Sequence, residues 1–107
     1  RLCITNPLSY LEFHHVLGRS NLILTDSGGI QEEAAALNKK MLVLRNTTER
    51  QELVDSGFTK LVGSNSDVIA SETLKLLDSK ELTEFNNPYG NGDSASKIVD
   101  VISSFKF

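Results

Sequence analysis

The stretch L-T-D-S-G-G-I-Q-E-E-A at residues 24–34 leaves an apolar run, sets two glycines side by side and follows them with two glutamates in a helical pattern. The apolar run reads as a strand, Asp26 and Ser27 turn the corner, and a helix opens at Gly28. A helix N-terminus offers unpaired N–H groups and partial positive charge, which favour a phosphate. In open α/β sheets ligands bind beyond the carboxyl ends of strands, where such helices begin. Gly28 and Gly29 remove the β-carbons that would hold a phosphate off the backbone, and Ser27 can cap the helix or donate its hydroxyl to a phosphate oxygen. Two helical glycines cost about 1 kcal/mol each relative to alanine, a cost that a bound anion would offset. On a helical wheel, Ile30, Ala34 and Leu37 form the expected core face; Glu32 points about 170° from its centre, into solvent, and Glu33 only about 65° from it. A carboxylate at Glu33 is placed to accept hydrogen bonds from two ribose hydroxyls. The plainer alternative is a tight turn with an ordinary N-cap and two solubilising glutamates.

A second cluster, L-R-N-T-T-E-R-Q-E at residues 44–52, also follows an apolar run. A cation in a helix's first turn opposes the helix dipole, so Arg50 calls for a partner. A phosphate on the neighbouring Ser27–Gly29 loop would supply one, because the guanidinium fork suits phosphate oxygens. A surface pairing with Glu49 or Asp55 is the alternative. A third cluster, N-P-Y-G-N-G-D-S-A-S at residues 87–96, is a glycine-rich loop that either folds over a ligand or joins two helices. His14 and His15 point about 100° apart on a helix, cannot serve one metal from one face, and lack completing ligands. No metal, cofactor or Ser/His/Asp grouping is expected.

These residues need a scaffold, and the composition allows one. The chain has 107 residues, a net formal charge of -3, one cysteine and no tryptophan. That size suits one domain, read here as spanning residues 1–107. Slight acidity without a basic run argues against a nucleic-acid surface, and no apolar stretch reaches the roughly 20 residues that span a bilayer. The lone Cys3 suits a reducing, cytoplasmic setting. Arg1 opens directly into an apolar run, as expected of a fragment.

Strands are expected at Leu2–Thr5, Leu22–Thr25, Met41–Leu44 and Lys60–Val62. Between them lie helical signals: a capping box at Ser9 and Glu12 with Gly18 as terminator, a helix from Gly28 to Leu37 with Asn38 as a left-handed stop, and a second box at Thr48 and Gln51 closed by Gly57. A fourth helix starts at Ser66 or Asp67. A fifth is capped by Asp93 or Ser94, with Ile98, Val101, Ile102 and Phe105 in one apolar stripe. Alternating strands and helices imply an α/β fold with a parallel sheet. Four strands are few for that architecture, so the chain reads as part of a larger sheet.

L-I-L-T-D-S-G-G-I-Q-E-E-A, then L-R-N-T-T-E-R, then N-P-Y-G-N-G-D-S-A-S-K-I-V closely resembles the C-terminal part of the non-hydrolysing, bacterial-type UDP-N-acetylglucosamine 2-epimerases. The resemblance covers essentially the whole chain. It implies a Rossmann-like partial domain, the C-terminal portion of a GT-B fold, binding UDP and UDP-sugar between two halves of a larger isomerase. The implied reaction interconverts UDP-N-acetylglucosamine and UDP-N-acetylmannosamine by elimination and re-addition of UDP. Carried over position by position, Ser27, Gly28 and Gly29 resemble the diphosphate cradle, Glu33 the ribose ligand, Arg50 a further UDP contact and Phe13 the aromatic residue near the uracil. The catalytic carboxylates and histidine of the family belong to segments upstream, so no catalytic residue is expected here, and the full-length enzyme is expected to be a homodimer. Lys39-Lys40 stands where the family shows Lys-Pro, Arg50-Gln51-Glu52 where it shows Arg-Pro-Glu, and Gly90-Asn91-Gly92 where it shows Gly-Asp-Gly. The other readings are the donor-binding domain of a GT-B glycosyltransferase and a non-catalytic scaffold.

Overall fold

In the computed structural model, which describes residues 1–79 and 85–106, three short parallel strands form the centre. They are β1 (Ile23–Thr25), β2 (Met41–Val43) and β3 (Thr59–Leu61), in the order β1-β2-β3. Ile23 pairs with Met41 and Met41 with Thr59, and the register continues to Thr25, Val43 and Leu61. Parallel neighbours need crossovers, and these are α2 (Gly28–Ala36) and α3 (Gln51–Asp55). α1 (Tyr10–Arg19) precedes the sheet; α4 (Ser66–Asp78) and α5 (Ser94–Ser104) follow it.

The near-continuous apolar run at 41–43 becomes the central strand, buried on both faces. Met41 and Val43 join a core of Leu17, Ile23, Ala34, Ala35, Leu53 and Phe58. Leu42 points to the opposite face and is fully buried too, on the strand against which α4 packs. Phe85 leans on Phe58 with ring centroids 4.8 Å apart and closes one end of this core.

Local signals explain most helix ends. Ser9 caps α1 in a complete box: its hydroxyl oxygen accepts from the Glu12 N–H, and the Glu12 carboxylate accepts from the Ser9 N–H at 3.0 Å. Asn38 stops α2 with φ 53, and Gly57 follows α3 with φ 84.

Other expectations do not hold. Leu2–Thr5 forms no strand; Leu2 and Ile4 are 85% and 86% exposed. A strand takes its hydrogen bonds from a neighbour, and among the described residues nothing pairs with this segment. Gly18 lies inside α1, whose cap is the extended Ser20. The buried centre of α2 is Gln31, Ala34 and Ala35, with Ile30 and Leu37 at its margin, because small alanines let the helix approach β1 closely. The Thr48–Gln51 box does not form. Arg50 is the N-cap of α3 without a side-chain bond, the Thr48 hydroxyl turns to Gln31, and Gln51 bonds Asp55 at 3.1 Å. The start of α4 does hold: the helix opens at Ser66, with Asn65 as its N-cap. The α5 stripe is regular but uncovered: Ile98, Val101, Ile102 and Phe105 all remain exposed.

Hydrogen bonds from Ser9 hold the Glu12 carboxyl below its ordinary value of 4.5. A depressed carboxyl contributes stability above its ordinary value that is lost as pH falls through the lower folded value. The protection of the first-turn amides of α1 against hydrogen exchange, taken relative to the intrinsic rate at each pH, should therefore fall below pH 4.5 in the native chain and change less in Glu12→Gln. Ser9→Ala should weaken the same turn by about 1 kcal/mol at neutral pH. Equal acid sensitivity in Glu12→Gln would contradict the assignment.

Candidate functional site

The site grows from the end of β1. Thr25 is buried, and its hydroxyl accepts from the Ser27 N–H at 3.0 Å, which bends the chain out of the sheet. Ser27 then caps α2: its side chain accepts from the Ile30 N–H at 3.5 Å. The N-terminal turn of α2 thus emerges at the carboxyl end of a parallel strand. The β2–α3 loop rises beside it, because Thr25 and Val43 are in register and the Leu44 N–H donates to the Thr25 carbonyl.

Gly28 faces that loop. A β-carbon there would stand 2.3 Å from Arg50 Nη1 and 2.6 Å from its Cζ, inside any permitted contact. The missing side chain is what lets the guanidinium lie against the start of α2. A β-carbon on Gly29 would meet only Ser27 Oγ, at 4.0 Å, so this side of the turn is open. Ser27 through Gly29 and Arg50 therefore stand together.

Arg50 is held by two carboxylates. Its Nε donates to Glu32 at 3.0 Å and its Nη1 to Glu49 at 2.7 Å. Glu49 is one of the two surface partners considered from sequence; Asp55 is not, being bonded to Gln51. A hydrogen bond from its own N–H, then the charges of Arg45 and Arg50, outweigh desolvation and hold the Glu49 carboxyl below its ordinary value. Glu32, expected in solvent, is exposed but tied to Arg50. Glu33 is half-buried, with no side-chain partner among the described residues, so its oxygens are available as acceptors. Phe13 is also half-buried, packed against the core from α1.

Two further residues escaped the sequence reading. Gln31 is completely buried; its Oε1 accepts from the Thr48 hydroxyl at 3.1 Å, and that hydroxyl accepts from the Arg50 N–H at the same distance. Gln31 thus couples the first turn of α2 to the residue that bears the cation. Its spacing to Ala34 and Ala35, i+3 and i+4, was the available signal. Tyr89 of the 87–92 loop is the other. Its hydroxyl donates to Glu52 at 3.4 Å, and burial, then the negative charge of Glu52, pushes its ionisation up. With Gly90 and Gly92 at φ 92 and 90, the loop lines a cleft of about 720 Å³ against Glu32 and Ala36 of α2. The third cluster is therefore a wall beside α2.

A family model described as UDP-N-acetylglucosamine 2-epimerase matches residues 1–103. The chain belongs to the UDP-N-acetylglucosamine 2-epimerase family. It is 45% identical over 103 residues to the enzyme of that name from Campylobacter jejuni, covering 92% of this chain and 27% of that protein. The Neisseria meningitidis UDP-GlcNAc 2-epimerase bound to UDP-GlcNAc matches at TM-score 0.85 and 41% identity, over 94% of this chain and 29% of that one. The Methanocaldococcus jannaschii enzyme in complex with UDP-GlcNAc and UDP matches at TM-score 0.80 and 40% identity, over 94% of this chain and 27% of that one. Members of this epimerase family are isomerases, and the parallel α/β unit is the part of their GT-B fold that this chain shares. Among the described residues no helix is long and apolar enough to cross a membrane.

The two glycines of this epimerase-family motif make different demands. Gly28→Ala should leave the melting temperature unchanged or raise it, since alanine gains up to about 1 kcal/mol of helix propensity, but should shift the Arg50 Nε–H resonance. Gly29→Ala, which meets open space, should leave that resonance in place. Equal shifts in both variants would show that Gly28 is not what seats the guanidinium.

Proposed function

We propose that this chain is the UDP-binding portion of a UDP-N-acetylglucosamine 2-epimerase, an enzyme that interconverts UDP-N-acetylglucosamine and UDP-N-acetylmannosamine. The observation that carries this reading is the seating of Arg50 on the side-chain-free face of Gly28, at the capped N-terminus of α2. A helix N-terminus with a guanidinium beside it suits a diphosphate in both charge and hydrogen-bonding chemistry. In this reading Ser27, Gly28 and Gly29 cradle the diphosphate with the two glycine N–H groups and the serine hydroxyl, the Ser27 N–H staying on Thr25, and Arg50 spans its oxygens. Glu33, with its acceptors free, takes the ribose hydroxyls, and Phe13 lies near the uracil. Two relatives whose structures hold UDP-GlcNAc or UDP support that ligand class.

The 107 residues then act as one binding unit. They supply binding, and the acid–base groups that invert C2 lie outside them, so the chain alone binds without turning substrate over. The complete enzyme is a cytoplasmic homodimer in this reading, with no nucleic-acid partner, which suits the net charge of -3. Calorimetric titration of UDP should show saturable binding that falls about tenfold or more in Arg50→Ala and in Glu33→Ala, the loss expected for a charge-assisted contact. Unchanged affinity in both variants would remove the site.

A further inference from the structure

The two carboxylates on Arg50 differ in where they stand. Glu32 approaches Nε from the flank of α2. Glu49 takes Nη1, the nitrogen that lies against Gly28, and its Oε1 stands 2.9 Å from the point a Gly28 β-carbon would occupy. It thus holds a negative oxygen at the first turn of α2, beside the inner edge of the guanidinium. An anionic ligand gripped by that turn and by that edge needs the same space, and two like charges there repel. The other oxygen of Glu49 is bonded to Arg45 Nη1 at 3.1 Å, so Glu49 keeps a cation when it gives up Arg50. The Glu49 side chain is 56% exposed; an exposed ion pair is weak, whereas a bidentate contact between arginine and phosphate is strong.

We propose that Glu49 is an exchangeable counter-ion, which fills the anion position while the site is empty and cedes Arg50 to an incoming nucleoside diphosphate. The inference rests on the reading that Ser27–Gly29 and Arg50 bind UDP. On arrival of the diphosphate, Glu49 retreats onto Arg45, and the tie between Glu32 and Nε stays. The carboxylate thus sets the affinity from outside the set of ligand contacts: it keeps the cation in place and imposes a cost on every anion that enters.

Calorimetric titration of UDP into the 107-residue chain and into Glu49→Gln and Asp55→Asn tests this. Both variants remove one exposed carboxylate from the same neighbourhood, and only the first removes it from Arg50. Glu49→Gln should bind UDP about fivefold more tightly than the native chain, while Asp55→Asn should match the native chain. Equal or weaker binding by Glu49→Gln overturns the proposal and leaves the UDP reading standing. A similar gain in Asp55→Asn overturns it as well, by reducing the effect to net charge. Binding of UDP to none of the three proteins would instead sink the UDP reading, and this inference with it.

Discussion

Arg50 lies where a glycine leaves room for it, and the local architecture depends on that contact. A guanidinium at a helix N-terminus is electrostatically out of place, since both are positive. Three things make the position tenable. Gly28 has no β-carbon, two carboxylates share the charge, and the Thr48 hydroxyl ties the Arg50 backbone to buried Gln31. Two positive groups held together in this way have their charge only loosely balanced by exposed carboxylates. Such an arrangement is unfavourable for stability and well suited to capturing a multiply charged anion.

The fold exists to hold two loops side by side. β1 delivers Ser27 to the start of α2, and β2, paired in register with it, delivers Thr48 and Arg50. A slip of one residue between these strands would turn the buried Ile23 and Thr25 outward. It would also carry the guanidinium past Gly28. Burial of β2 on both faces guards against this, and the alanines of α2 bring that helix close enough for Gln31 to reach Thr48.

What could be read from sequence was what is local. The Ser9–Glu12 box, the left-handed Asn38 and the apolar runs of β1 and β2 depend on neighbours a few residues away, and each lies where its pattern places it. The grouping of Ser27 to Gly29 with Arg50 was also legible, because both follow strands and parallel strands bring their following loops together. What escaped depends on contacts distant in sequence. Thr48 looks like a cap, but its hydroxyl is claimed by a glutamine 17 residues away. Glu32 looks solvated until Arg50, 18 residues on, reaches it. Leu2–Thr5 has strand composition without a strand partner, and the α5 stripe has the right period without a covering surface. In both, periodicity describes which face could be buried and says nothing of what buries it.

Whether the amides at the start of α2 grip a diphosphate decides the rest. Titration of the isotopically labelled chain with UDP, followed through the backbone N–H signals of Gly28 and Gly29, observes those groups themselves; the Ile30 N–H is held by the Ser27 cap. Saturable shifts should centre on these two amides and on the Arg50 Nε–H. UDP binding that leaves all three signals unmoved would rule the grip out.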